Sequence, residues 1–276
     1  MSLFRRKENE GNLPERKGEF TDINPQDIQH HALYDALKSN YLAPIKGLLT
    51  KTVLDVGCGT GIWGHEIMRE FTNAQVVGFD LEAAPPNTSN IMTSYVQGNL
   101  LQGLPFNTNT FTYVHQRLLM GTIPATSWPF VIGELTRVAR PGGWVELVES
   151  GNVSFQPQGP ASSRLTEGIL KISAMRGVDL RIISSLDRLM EQAGLINIQT
   201  KTVAIPLGNW NGKAGVLLSR EIQMFAQSFR DPFIRLLRYT PTNFDDLITA
   251  LPREWDDYHS QYIFYFLIGQ KPLQPY

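Results

Sequence analysis

The chain has 276 residues, 42% hydrophobic and 18% charged, which suits one sizeable globular α/β domain with decorations or two small domains. Its 25 basic and 26 acidic side chains leave a formal charge of −1, so no global field marks nucleic acid or an anionic membrane as partner. The single cysteine, Cys58, excludes an intrachain disulfide, and no apolar run reaches the roughly 20 residues of a spanning helix.

The basic start, Met1 to Lys7, is followed by no apolar stretch and is not a secretory signal, so the expectation is a soluble cytoplasmic protein. Residues 1–22, with the cluster Arg5, Arg6 and Lys7, are rich in charge, Gly and Pro and read as a flexible tail. Residues 23–50 read as an N-terminal helical cap, because Ile28, Leu33, Leu37, Tyr41 and Leu42 recur at roughly helical spacing between Asp27 and Leu49.

From residue 51 to 150 short apolar runs alternate with helical patterns. Strands are expected at Thr52–Val56, Gln75–Phe79, Ser94–Gln97, Phe111–His115 and Trp144–Val148, with helices at Gly61–Phe71 and Phe130–Ala139. Arg140-Pro-Gly-Gly143 should stop the second helix and turn the chain into the last of these strands. Such an order implies a doubly wound, mostly parallel sheet covered on both faces, with right-handed crossovers.

After Glu149 the pattern loosens. Ser184–Ala193 is amphipathic, Ile196–Ile205 and Tyr262–Gly269 read as strands, Lys213–Arg238 as mostly helical, and Pro241–Trp255 as a stretch with turn residues.

Gly57, Gly59 and Gly61 lie between the first strand and the first helix of the sheet, at its carboxyl edge, where doubly wound folds bind ligands. Glycines let the backbone turn and approach a ligand, and the helix start beyond offers N–H groups to a carboxylate. Gly59-Thr-Gly61-Ile-Trp-Gly64 also fits the dinucleotide pattern of an NAD-dependent oxidoreductase. Asp55, two residues before the first glycine, favours a ligand without phosphates, since its charge would repel a pyrophosphate. It also has the plainer role of orienting loop N–H groups. Asp80, about 20 residues past the loop, is placed to accept from ribose hydroxyls, or else to cap a turn.

Together these residues give the chain a resemblance to the class I S-adenosylmethionine (SAM)-dependent methyltransferases. Val53-Leu-Asp-Val-Gly-Cys-Gly-Thr-Gly61 is similar to their first motif, Gly78-Phe-Asp-Leu81 to the second, and Gln97-Gly-Asn-Leu100 with Leu104-Pro-Phe106 to the third. Phe111-Thr-Tyr-Val-His115 and Arg140-Pro-Gly-Gly-Trp-Val-Glu146 resemble the fourth and fifth. Gln29-His-His31, Gly61-Ile-Trp63, the stretch His115 to Ile123 and, weakly, Pro206-Leu-Gly-Asn-Trp210 narrow the similarity to the LaeA-like branch, which is associated with fungal secondary metabolism.

The resemblance implies a Rossmann-like, seven-stranded sheet whose last strand is antiparallel, with SAM as cofactor and residues 151–276 completing the sheet and covering the site with helical insertions. Gly57, Gly59 and Gly61 would pack on its methionyl part and Asp80 would hold the ribose. Leu81, Gly98, Asn99 and Leu100 would surround the adenine, with Asn99 standing where the family usually has Asp. His115 and Gln116 would lie beside the methyl group.

For the chemistry, His115 is the best general-base candidate, its alternatives being a contact to the cofactor or a supporting bond, and Glu149 is a second candidate. His30, His31, Trp210 and Trp255 are candidate substrate-pocket residues. Cys58 lacks an activating base, and the five histidines show no metal-ligand spacing, so no metal is expected.

The partner expected is a small-molecule methyl acceptor, methylated at N, O or C, with no nucleic acid and no membrane. Two other functions fit the same pattern. One is a SAM-binding regulator of the LaeA-like type, the other a SAM-fold enzyme catalysing a non-methylating reaction.

Overall fold

The computed structural model describes residues 24–47, 51–84, 93–151 and 154–273, and the expected tail at 1–22 lies outside them. Helix α1 spans Pro25–Leu37, started by the Asn24 side chain, which accepts from the Gln26 amide, and by Pro25 in its first turn. It stops well before Leu49, since Lys38 takes a left-handed φ of 54° and Ser39 begins a non-helical run. The amides of Leu42 and Ala43 in that run donate to the Glu146 carboxylate instead of to a helix.

Strand β1 is Thr52–Val56, with its last four residues buried, as expected of a strand covered on both faces. Helix α2, Ile62–Glu70, leads to β2, Gln75–Asp80; β3 is Ser94–Gln97 and β4 is Phe111–Arg117. Helix α3, Trp128–Val138, hands over directly to β5, Ala139–Glu149. The Arg140–Gly143 segment lies within that strand, where a Cβ on Gly143 would stand 2.8 Å from the Arg140 carbonyl. Parallel pairing gives the order β3-β2-β1-β4-β5.

The sheet is finished by long strands β7, Ile196–Pro206, and β8, Gln261–Gln270. β8 lies antiparallel between β5 and β7, and the short β6, Phe155–Gln156, pairs with its first two residues. The sheet is therefore the mostly parallel one expected, with this two-residue ribbon as an eighth member.

The remaining helices are α4 (Pro160–Met175), α5 (Leu186–Gln192), α6 (Gly212–Gln227), α7 (Arg230–Leu237) and α8 (Pro241–Tyr258). The last corrects the turn-rich expectation for Pro241–Trp255. Pro241 sits in the first turn and Thr240 accepts from the Asn243 amide, so both residues start a helix. Pro252 is carried inside because Leu251 and Trp255 beside it are fully buried, and packing outweighs propensity.

Side chains alternate across the sheet. Leu54, Val56, Val114, Val145 and Leu147 meet α3 and α5 on one face. Val53, Tyr113 and Trp144 meet Trp63 and Ile67 of α2 on the other. A separate cluster joins α1, α4, α6, α7 and α8 around Trp255, Phe233, Phe244 and Phe264, and forms a helical cover over the carboxyl end of the sheet. Among the described residues no helix is long and apolar enough to cross a membrane.

Candidate cofactor and acceptor site

Gly57, Gly59 and Gly61 have φ of 71°, 52° and 79°, a region that glycine enters without steric cost. The turn is pinned by Gly57 donating to the Phe79 carbonyl (2.7 Å) and Gly59 to Asp80 Oδ2 (2.8 Å). Gly61 is the N-cap of α2 and brings no side chain, leaving the first-turn N–H groups uncapped at the loop. Helix α1 lies over this turn. Gln26 Oε1 accepts from the Thr60 amide (3.3 Å), and Thr60 Oγ1 donates to Asp27 Oδ1 (2.6 Å). Burial pushes the Cys58 thiol up, and the charges of Asp55 and Asp80 add to the effect, so it stays protonated and unreactive.

From the loop a cavity of about 560 Å³ runs under the cover, within the roughly 300–1,000 Å³ of ordinary small-molecule sites. Gly57, Thr60, Ile62 and Asp80 line one end. Glu149 and the Leu118–Thr122 turn form its floor, and residues of α4 and α6 the far wall. Asp80 Oδ1 accepts from the Glu82 amide (3.1 Å), so each of its oxygens is fixed by one backbone N–H and keeps acceptor capacity.

Glu149 is fully buried, and burial raises its carboxyl to about 7 against hydrogen bonds that favour the anion. Oε1 accepts from the Leu119 amide (3.1 Å) and Gln116 Nε2 (3.3 Å), and Oε2 from the Met120 amide (3.0 Å). It shapes the turn at Leu119, whose side chain packs on Gly57.

Several expected positions differ. His115 stands directly opposite Asp55 in the β1–β4 register, so both side chains leave on the face toward α2, away from the cavity. His115 Nδ1 lies 2.9 Å from Asp55 Oδ1, and its ring stacks on Trp63 at 3.7 Å. Burial holds its pKa below the ordinary value although Asp55 pulls the other way. It is a buried partner of Asp55, and its ring does not line the cavity. Gln116, on the opposite face, is fully buried and reaches Glu149.

His30 and His31 also lie off the cavity. Arg117 Nη1 lies 3.2 Å from His30 Nδ1, and His30 Nε2 faces Glu66 Oε2 at 3.1 Å. His31 meets His30 edge-to-face at 5.5 Å. These two histidines and Glu66 form a group of metal-ligand type that no sequence spacing announces. Arg117 is a permanent donor, so His30 Nδ1 accepts, while Nε2 stands within ion-pair distance of Glu66 without a well-formed hydrogen bond.

Trp255 is core. Its Nε1 donates to Ser162 Oγ (2.9 Å) and its ring stacks on Phe155. Trp210 packs at 5.0 Å from His259 and is likewise outside the cavity.

Of the residues expected to surround the adenine, Leu81 is 62% exposed and Leu100 is buried. A Cβ on Gly98 would press into the Phe79 ring at 2.7 Å. Asn99 Oδ1 accepts from the Leu101 amide, capping a short 3-10 turn.

A model described as a methyltransferase domain matches residues 28–200, more than half of the chain. The chain belongs to this methyltransferase family. The methyl donor of such domains is SAM, and the glycine loop fits it. Gly57 and Asp80 line the cavity, the start of α2 is uncapped, and Asp80 retains acceptor capacity.

Methyltransferase pytC of Aspergillus terreus is 27% identical over 89% of this chain and 79% of its own length. N-methyltransferase sirN of Leptosphaeria maculans is 28% identical, covering 78% of each. Secondary metabolism regulator laeA of Monascus pilosus is 25% identical over 80% of this chain, which spans 63% of that protein.

Among solved structures, a Haemonchus contortus phosphoethanolamine N-methyltransferase 2 in complex with S-adenosylhomocysteine superposes with a TM-score of 0.51 at 18% identity, over 89% of this chain and 52% of that one. A geranyl diphosphate methyltransferase in complex with SAM gives 0.50 at 16% identity, over 88% and 85%. These likenesses are of fold.

Gln26, Gln29, Arg117 and Glu221 line the cavity, and sequence reasoning gives none of them a role in the site. Gln29 and Arg117 stand inside the segments that carry the narrower resemblance, but no local pattern marks them as cavity residues, and Gln26 and Glu221 carry no motif.

Proposed function

We propose that the chain transfers the methyl group of SAM to a small molecule of specialised metabolism, in the cytoplasm and without a nucleic-acid or membrane partner. The observation that carries this reading is the continuity of one cavity from Gly57 and Asp80 to an apolar wall on α4 and α6. Bound SAM supplies an electrophilic methyl on a sulfonium. Gly57, Gly59 and Gly61 would receive its methionyl part, the Asp80 carboxylate its ribose hydroxyls, and Leu81, Gly98, Asn99 and Leu100 its base. Asn99 still offers an acceptor lone pair beyond the one engaged by Leu101. Asp55 and His115 support the strand ends beneath the loop, and Gln116 and Glu149 hold the Leu119–Met120 turn in place. Rate enhancement then rests on holding the acceptor in line and excluding water, which the buried cavity favours.

The test is incubation of the full chain with methyl-labelled SAM and a low-molecular-weight extract. Label is expected in the small-molecule fraction. Label found solely in protein would favour the regulatory reading that the likeness to secondary metabolism regulators suggests, and would overturn this one.

A further inference from the structure

The α6 wall of the cavity carries a carboxylate. Glu221 stands on α6 with 8% of its surface exposed and lines the cavity together with Ile222 and Phe225 of the same helix. Gln29 of α1 is the hydrogen-bonding side chain found for it among the described residues. A carboxylate has about four acceptor positions, so one amide leaves it far from satisfied. Glu149, by contrast, spends its oxygens on two backbone amides and Gln116. Burying a carboxyl in a cavity that Ile222, Leu165 and Ile169 also line is costly unless something pairs with it, and burial lifts it to about 7.

Neither of the two cations that also line the cavity is among the groups acting on Glu221. The Arg117 guanidinium lies against His30, and Arg176 is exposed at the end of α4. Tyr262, close enough for the Glu221 charge to act on it, is bonded to Ser150 and Ser154.

We infer that Glu221 recognises the methyl acceptor and that the acceptor carries a protonatable amine on an apolar, ring-bearing body. This rests on the small-molecule reading above. The ammonium would meet the carboxylate beside Gln29, while the body fills the space between Leu165, Ile169, Ile222 and Phe225. A charge-assisted hydrogen bond in such surroundings discriminates strongly against a neutral isostere.

The test is calorimetric binding of matched probes, tryptamine against tryptophol and phenethylamine against 2-phenylethanol, to the full chain saturated with S-adenosylhomocysteine. In the unaltered protein each amine should bind about 10-fold or more tighter than its alcohol. In Glu221→Gln that preference should vanish, with affinity for the alcohols and for S-adenosylhomocysteine unchanged. Equal affinity for amine and alcohol, or a preference that survives Glu221→Gln, overturns the assignment and leaves the small-molecule reading standing. Failure of every probe to bind, with label transferred solely to protein, overturns both. The comparison within the unaltered chain holds even if the variant does not fold.

Discussion

Asp80 and Glu221 face one cavity from two regions built on different principles. Asp80 is held by the backbone: it ends a parallel strand and its oxygens are fixed by the Gly59 and Glu82 amides. Glu221 is held by packing, on a helix positioned by the apolar cluster around Phe233, Phe244 and Trp255. The first arrangement is local and repeats wherever a strand, a glycine turn and a helix follow each other. The second depends on contacts distant in sequence, and it is the part that differs between enzymes sharing a scaffold.

This contrast is open to measurement. Trp255→Ala should cost about 3–5 kcal/mol of unfolding free energy in a denaturant titration, because a fully buried indole leaves a void that its neighbours fill only in part. S-adenosylhomocysteine affinity of the molecules that remain folded should change by less than about 3-fold, since a cavity opened in the cover does not reach the loop. A collapse of both together would break the separation of the two regions.

Asp80→Ala should weaken S-adenosylhomocysteine about 100-fold by calorimetry, the order expected when hydrogen bonds to a charged acceptor are lost. Unchanged affinity would remove the glycine loop from the cofactor site.

A smaller effect sharpens the border. Glu146 on β5 holds the amides of Leu42 and Ala43, and burial raises its carboxyl to about 7. A carboxyl whose folded pKa lies above its unfolded value contributes stability that is complete below about pH 4.5 and is lost as the pH climbs through about 7. Stability relative to Glu146→Gln should therefore fall by about 2 kcal/mol between pH 5 and 8, read from urea titrations at each pH. A pH-independent difference would mean that Glu146 is ionised throughout.

What was legible in the chain follows the same division. The glycine loop, Asp80 and the order of the parallel strands could be read because neighbours in sequence are neighbours in the site. His115 was misjudged through parity alone: the strand and its position were right, but its register with Asp55 turns the ring to the α2 face. Trp210 and Trp255 have the composition of pocket residues and the surroundings of core, a difference that single-sequence pattern does not carry. Pro241 and Pro252 looked like turn residues, although one starts α8 and the other is tolerated within it. Glu221 could not be found in advance, because its partner Gln29 lies on a helix that precedes the whole sheet.

The position of β8 sets the order of events as the chain folds. Its partners precede it in sequence, with Trp144 opposite Gln270 and Ile205 opposite Tyr262, so β5 and β7 leave the ribosome before the strand that joins them. Until β8 inserts, both carry unpaired edges of the kind that recruit other chains. Pairings this distant in sequence close slowly. A growing chain therefore carries these two edges uncovered until its β8 residues have been made.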